Sequence, residues 1–396
     1  MARRPRELKS IGVDRIGTIA DRLSDEKLLR LENLDTDLAP PPGVIEATHN
    51  EIGRDNANSY LPFLGSDELR EAAAELVTRL SGVSYDWNNS TIICAGGLNG
   101  ILNVLLALLE NGDGVVMTDP IYVGLINRVR LAGGVPAYVP YKIDNGVWKL
   151  DHDRLEEVVT PKTKVFLMMS PSMPTGSVLS RGDWEAICES CCRVGAWLLY
   201  DSAMERILYD RLEYIHPASF PGMAERTITV GSVSKEYRMI GWRVGWIVAP
   251  PSIINEIGLV SISNVVCPVG IAQKGATIAL RAPDSDIAAV TREWQRRRDV
   301  LLEELDGFSV VKPQGGWSML MDASGFGLSG AELSKHLLEK ARIAATAMTG
   351  WGSKRSDHFI RFVFSNEPAE RLKGLRARVN SAIGNPTRIK RSEATR

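Results

Sequence analysis

The densest chemistry in the chain lies in Gly231-Ser232-Val233-Ser234-Lys235, followed closely by Gly241-Trp242-Arg243-Val244-Gly245-Trp246. One amine follows two hydroxyls, with a guanidinium eight residues on and glycines on either side. A lysine desolvated near other cations loses basicity and becomes a usable nucleophile at neutral pH. Two serines and an arginine suit a phosphate dianion. Upstream, Ala95-Gly96-Gly97-Leu98 joins an apolar run to a helical stretch; its glycines admit close backbone approach, and the N–H groups at a helix start suit an anion. An ordinary glycine-containing turn reads the same way, and the spacing lacks the G-x-G-x-x-G of a dinucleotide site. A third group is Asp201, which ends the apolar run Trp197-Leu198-Leu199-Tyr200. A buried acid there needs a cation or several donors to stay ionised; taken alone it reads equally as an N-cap or loop acid.

Elements that alternate along the chain must hold these groups. From about Asn89 to Pro250, β-branched runs alternate with amphipathic stretches, the pattern of a mostly parallel sheet covered by helices. Strands are expected at 91–95, 114–118, 137–140, 164–169, 196–200, 227–230 and 243–249, with helices such as 98–109 and 181–193 between them. The fold class is therefore α/β, a mostly parallel seven-stranded sheet with helices on both faces, plus a smaller α+β domain. In that smaller part a charged helix at 286–305 precedes strands near 308–311, 318–321 and 359–364. The expected division is 1–45 as an N-terminal arm and part of the small domain, 46–285 as the large domain, and 286–396 as the small domain. A polar tail from about 385 is expected to fray. Open parallel sheets bind ligands at the carboxyl ends of their strands, where Gly97, Asp201 and Lys235 all fall.

The 396 residues carry 47 Lys+Arg against 48 Asp+Glu, a formal charge of −1, and 44% are hydrophobic. That balance argues against nucleic acid or an anionic membrane surface as the main partner. No uncharged apolar run reaches the roughly 18 residues of a membrane span, and five cysteines suggest no disulfide framework. A soluble cytoplasmic protein is expected.

Further motifs join the lysine segment in order along the chain. Asn58-Ser59-Tyr60-x-Pro62-x-x-Gly65 precedes the helix-like Leu69-Arg70-Glu71-Ala72; Pro120-Ile121-Tyr122, Pro313-Gln314-Gly315-Gly316 and Ile360-Arg361-Phe362 follow. Together they resemble the fold type I pyridoxal-phosphate enzymes, specifically the class I/II aminotransferases of the aspartate aminotransferase type, over about Ile11 to Val379. The resemblance implies a homodimer that uses pyridoxal 5′-phosphate to move an amino group from an L-amino acid to a 2-oxo acid in a ping-pong cycle. It implies that Lys235 forms the internal Schiff base and then shuttles the proton, and that Asp201 faces the pyridine nitrogen. It assigns the phosphate to Gly97 and Leu98 N–H groups, Ser232, Ser234 and Arg243, with Tyr60 reaching across from the partner subunit. Tyr122 stacks on the ring, and Arg361 grips the substrate α-carboxylate.

Two positions depart from the family pattern. Ser170-Pro171-Ser172-Met173-Pro174-Thr175-Gly176 has Met173 where the family has an asparagine, and Met204 replaces a tyrosine three residues after Asp201. In the family both donate to the cofactor 3′-phenolate, and a thioether donates nothing. The expected consequence is a more basic phenolate and a raised internal aldimine pKa, unless Ser202 or water restores the contact. The losses keep a lyase, racemase or oxidase on the same scaffold as the alternative; a non-catalytic relative is disfavoured by Lys235, Asp201 and Arg361 together. At Glu32-Asn33-Leu34-Asp35, where the family often has a glycine, a side chain is expected to intrude on the substrate. Cys188, Cys191 and Cys192 read as core thiols, with no metal site expected. Arg296-Arg297-Arg298 reads as a solvated face.

Overall fold

In the computed structural model, residues 6–23 and 25–383 are described; the tail from 385 lies outside them. A short strand, β1 (Leu29–Arg30), stands apart from the main sheet. That sheet holds β2 (Thr91–Cys94), β3 (Gly114–Asp119), β4 (Val135–Asp144), β5 (Val147–Leu150), β6 (Thr163–Met169), β7 (Trp197–Asp201), β8 (Thr227–Ser232) and β9 (Gly245–Val248). Their order is β2-β9-β8-β7-β6-β3-β4-β5. The run from β8 to β4 is parallel throughout; the antiparallel pairs are β9 with β2 and β8 near one edge and β5 with β4 at the other.

Eight strands stand where seven were expected. The eighth, β5, folds back on β4 through Asn145-Gly146, both at positive φ (49° and 77°). Asn-Gly is the preferred pair for such a two-residue hairpin turn.

The sheet is apolar on both faces because alternate residues point opposite ways. Val115, Met117, Leu167 and Leu199 pack with Ile101 and Leu105 of the helix Gly97–Leu108 and with Val129 of the helix Val123–Leu131. Val116, Phe166, Met168 and Tyr200 pack the other way, on Trp184 and Ile187 of the helix Arg181–Val194. That helix starts on a capping box between Ser180 and Asp183 and ends on Gly195 in the left-handed region. Cys188 and Cys191 face the core as expected, while Cys192 is exposed.

A second, antiparallel sheet contains β10 (Ser318–Asp322), β12 (Thr346–Ala347) and β13 (Phe359–Val363), with β13 central; β11 (Ile343–Ala344) pairs in parallel with β1. The strand expected at 308–311 reduces to one bridge, Val310 to Met321. It is hemmed between Gly307 at φ 92° and Pro313, which has no N–H for a ladder.

The helix Asp284–Glu304 buries Ile287, Trp294 and Leu301 along one stripe. Its arginine run is not a solvated face. Arg297 and Arg298 are buried, Arg297 against Asp37 at 2.7 Å and Arg298 against Asp210 at 2.8 Å, because both carboxylates lie opposite the helix's inner side. Only Arg296 follows the expectation, pairing with Glu293 and Glu370 near the surface.

Candidate active site

The carboxyl ends of β6, β7 and β8 lie side by side, with Met169 paired to Asp201 and Asp201 to Val230. β2 turns at Gly96 (φ 86°) into the helix that starts at Gly97. These ends open into a cavity of about 420 Å³. Eleven of the twelve residues singled out from the sequence line it: Gly97, Leu98, Tyr122, Met173, Asp201, Met204, Ser232, Ser234, Lys235, Arg243 and Arg361. Tyr60 does not; it is 82% exposed on the outer surface.

At one end the first-turn N–H groups of Gly97 and Leu98, which lack intrahelical acceptors, meet Ser232, Ser234 and Arg243. Arg243, at φ 55°, donates through Nη1 to Ile240 O at 2.8 Å and reaches Ser234 Oγ at 3.4 Å. A Cβ on Gly96 would stand 2.5 Å from Arg243 Nη2, and one on Gly245 would stand 2.6 Å from Gly97 N. Only hydrogens fit there, so this cradle of donors is kept open by its glycines. Beneath it Arg128 donates to Leu98 O and Gly124 O, both at 2.8 Å, tying the helix after Tyr122 to the turn.

Lys235 is half-buried and donates to Leu34 O at 2.9 Å, with Nζ 5.1 Å from the centre of the Trp317 ring. Burial lowers its pKa to about 7; Arg361 and Arg243 push the same way, and Asp35 opposes them. Asp201 is 5% exposed, accepts from Ala203 N at 3.2 Å, and is raised to about 6 by burial, with Arg128 and Lys235 opposing. A positive group beside it would draw it back down.

On the far wall the guanidinium of Arg361 is fully buried on β13. Its Nη2 donates to Glu32 O at 2.6 Å, its Nε has no partner, and no salt bridge reaches it among the described residues. Burial lowers its pKa to about 10, which leaves it charged at neutral pH. A buried cation without a carboxylate suits an anionic ligand.

Of the segment 32–35, expected to put a side chain beside the substrate, Asn33 and Leu34 reach the cavity and Glu32 does not. The Glu32 side chain turns away to Arg30 Nε at 2.6 Å. Sequence reasoning also passed over Ile11 and Val13, which line the mouth, and Arg128; nothing in their types marks them. The donor set matches a phosphorylated aldehyde with a basic ring nitrogen: an anion cradle at one end, an amine of lowered basicity in the middle and a carboxylate at the end of β7.

A doubly covered, mostly parallel sheet with this lysine at its carboxyl edge has its cavity where α/β enzymes bind their ligands. Residues 27–379 match the family model "Aminotransferase class I and II", and the chain belongs to that family. Its members use pyridoxal 5′-phosphate, and the protein is an aminotransferase that moves an amino group between amino and 2-oxo acids. It is 30% identical over 347 residues to the arginine–pyruvate transaminase of Pseudomonas aeruginosa, covering 87% of each chain. To a probable aspartate/prephenate aminotransferase of Aquifex aeolicus it is 32% identical over 390 residues, covering 96% of this chain and 93% of that one. The solved N-succinyldiaminopimelate aminotransferase of Mycobacterium tuberculosis superposes with a TM-score of 0.90 at 28% identity, over 96% of this chain and 100% of that one.

Proposed function

We propose that the cavity beneath Tyr122 is the transamination site and that Lys235 is its catalytic residue. The observation that carries this is the convergence of an amine of lowered basicity, a buried carboxylate and an unpaired buried guanidinium on one cavity. When bound there, pyridoxal 5′-phosphate supplies an electrophilic aldehyde carbon and a ring that accepts the electron pair left at the substrate Cα. Gly97 and Leu98 N–H groups, Ser232, Ser234 and Arg243 would hold its phosphate, and Asp201 would keep a proton on the ring nitrogen. Tyr122 would pack against its ring. Lys235 would hold the aldehyde carbon in the resting enzyme and, once freed as an amine, would carry the proton between substrate Cα and that same carbon. Arg361 orients the donor by its α-carboxylate. Outside these groups the walls include Ile11, Val13, Leu34 and Ile240, which favour an apolar donor side chain over a second carboxylate.

The same reading includes a homodimer. Ile45, Ile52, Tyr60, Phe63, Leu259 and Val269 are exposed on segments 44–65 and 251–270, which pack on each other where Gly258 meets Leu64 and Gly270 meets Ala57. An apolar face of that kind supports burial against a second copy. Tyr60 on it would reach the other subunit's phosphate cradle. Small-molecule amino and 2-oxo acids are the other partners of this reading. Buried unpaired thiols at Cys94, Cys188 and Cys191 support a reducing cytoplasm. The second sheet and the β1–β11 pair support assigning 1–45 and 286–396 to a small domain and 46–285 to a large one.

The test is a half-reaction screen of the purified holoenzyme with single amino acids, following cofactor absorbance. Conversion to the pyridoxamine form, fastest with apolar donors, supports transamination, whereas release of ammonia or racemised donor favours a lyase or racemase. Mixing Lys235→Ala with Tyr60→Ala protein should restore activity in hybrids; no restoration removes the cross-subunit role.

A further inference from the structure

Trp351 is fully buried and does not line the cavity, yet it touches three things that do. Its ring centre lies 4.9 Å from the Arg361 guanidinium carbon and 5.4 Å from the centre of the Tyr122 ring, tilted by 59°. Its indole N–H donates to Ile11 O at 3.2 Å. The backbone is pinned as firmly: Trp351 O accepts from Ile121 N at 2.9 Å, and Ser353 N and Oγ both donate to Asp119, at 3.1 and 2.6 Å. Between them, Gly352 at φ 146° passes so close to Asp119 Oδ1 that any Cβ would collide with it. The loop therefore has one seat, on the end of β3.

Arg361 needs such a support. Its charge is buried, its Nε is unpaired, and its other contacts are a thioether, a carbonyl and a threonine hydroxyl. Neutral acceptors on one side leave the guanidinium plane free to tilt, and an aromatic face attracts a desolvated cation without neutralising it. A carboxylate in that place would hold the arginine as well but would compete with the ligand.

We propose that Trp351 is a positioning residue: its π face holds the Arg361 guanidinium in the plane that receives a carboxylate and links it to Tyr122 and the cavity mouth at Ile11. This rests on the assignment of Arg361 to the substrate α-carboxylate.

The test combines KM and kcat for an amino acid in the wild type, Trp351→Phe, Trp351→Leu, Arg361→Ala and the Trp351→Leu/Arg361→Ala double variant. Trp351→Leu should raise KM roughly tenfold with kcat changed less than threefold, and Trp351→Phe should raise it only about threefold. In the double variant the loss should equal that of Arg361→Ala alone. Fluorinated tryptophans placed at 351 keep the shape while draining the π face, and KM should climb with each added fluorine. A flat fluorine series, or KM within twofold in Trp351→Leu while Arg361→Ala raises it, overturns the inference and leaves the carboxylate site standing. If Arg361→Ala itself leaves KM unchanged, the assignment beneath it falls.

Discussion

Arg361 Nη1 rests 3.4 Å from the Sδ of Met173, so the buried guanidinium faces a sulfur on that side. A thioether accepts weakly and donates nothing. The charge thus stays available to a ligand.

Replacing Arg361 by lysine should raise KM for the amino acid about 10- to 100-fold, because an ammonium lacks the two-pronged geometry and its partners stay buried. Steady-state kinetics with one donor and one 2-oxo acid checks this; an unchanged KM would falsify the carboxylate role.

Lys235→Ala should lower kcat by at least about 10²- to 10⁴-fold, the usual scale for losing a positioned acid–base group. The variant's absorbance should also lose its dependence on a linked lysine, visible as failure of borohydride to fix the cofactor to residue 235.

Lys235 has a pKa of about 7, below its ordinary 10.5, so the folded chain binds fewer protons there than the unfolded one between those values. Apoenzyme stability should therefore rise with pH from about 7 towards 10.5, and the protonated form should weaken it below 7. In competitive amine labelling read by mass spectrometry, Lys235 should react with a midpoint near 7 while exposed lysines react near 10. A midpoint near 10 for Lys235 would contradict its burial.

Met173→Asn combined with Met204→Tyr should restore two donors to the wall they share with Asp201. The pH midpoint of the holoenzyme's visible absorption should fall by at least about one unit relative to wild type. Equal midpoints would show that Ser202 or water already fills the role.

Gly96→Ala should weaken cofactor binding and destabilise the fold by about 1–3 kcal/mol, since the residue sits at φ 86° and its Cβ would stand 2.5 Å from Arg243 Nη2. Equilibrium dialysis of the cofactor and a thermal melt separate the two effects. Gly182→Ala, where nothing lies within 4 Å, is the matched control.

Lys235, Asp201 and Gly97 were legible because a strand end is a local feature and each type is unusual in its place. Arg361 became legible only with its neighbours Ile360 and Phe362, as a recurring pattern. Trp351 could not be read, because an indole in a loop looks like any core aromatic until β3 and β13 bring Tyr122 and Arg361 to it. Arg297 and Arg298 misled for the same reason: a run of like charges names its solvent only when Asp37 and Asp210, distant in sequence, are placed opposite. The β5 hairpin turns on Asn145-Gly146, but its return strand, Val147–Leu150, is too short a run to stand out in the sequence.

The parallel pair of β1 with β11 joins Leu29 to Ile343, and Arg361 donates to the carbonyl of Glu32. A ribosome releases residues 29–34 long before residues 343–361. The cradle of donors and Lys235, drawn from residues 96 to 243, are all synthesised before Arg361. The wall that carries Arg361 is thus completed after the cradle, and a chain stopped before residue 343 would lack β11, Trp351 and Arg361 while keeping every cradle residue.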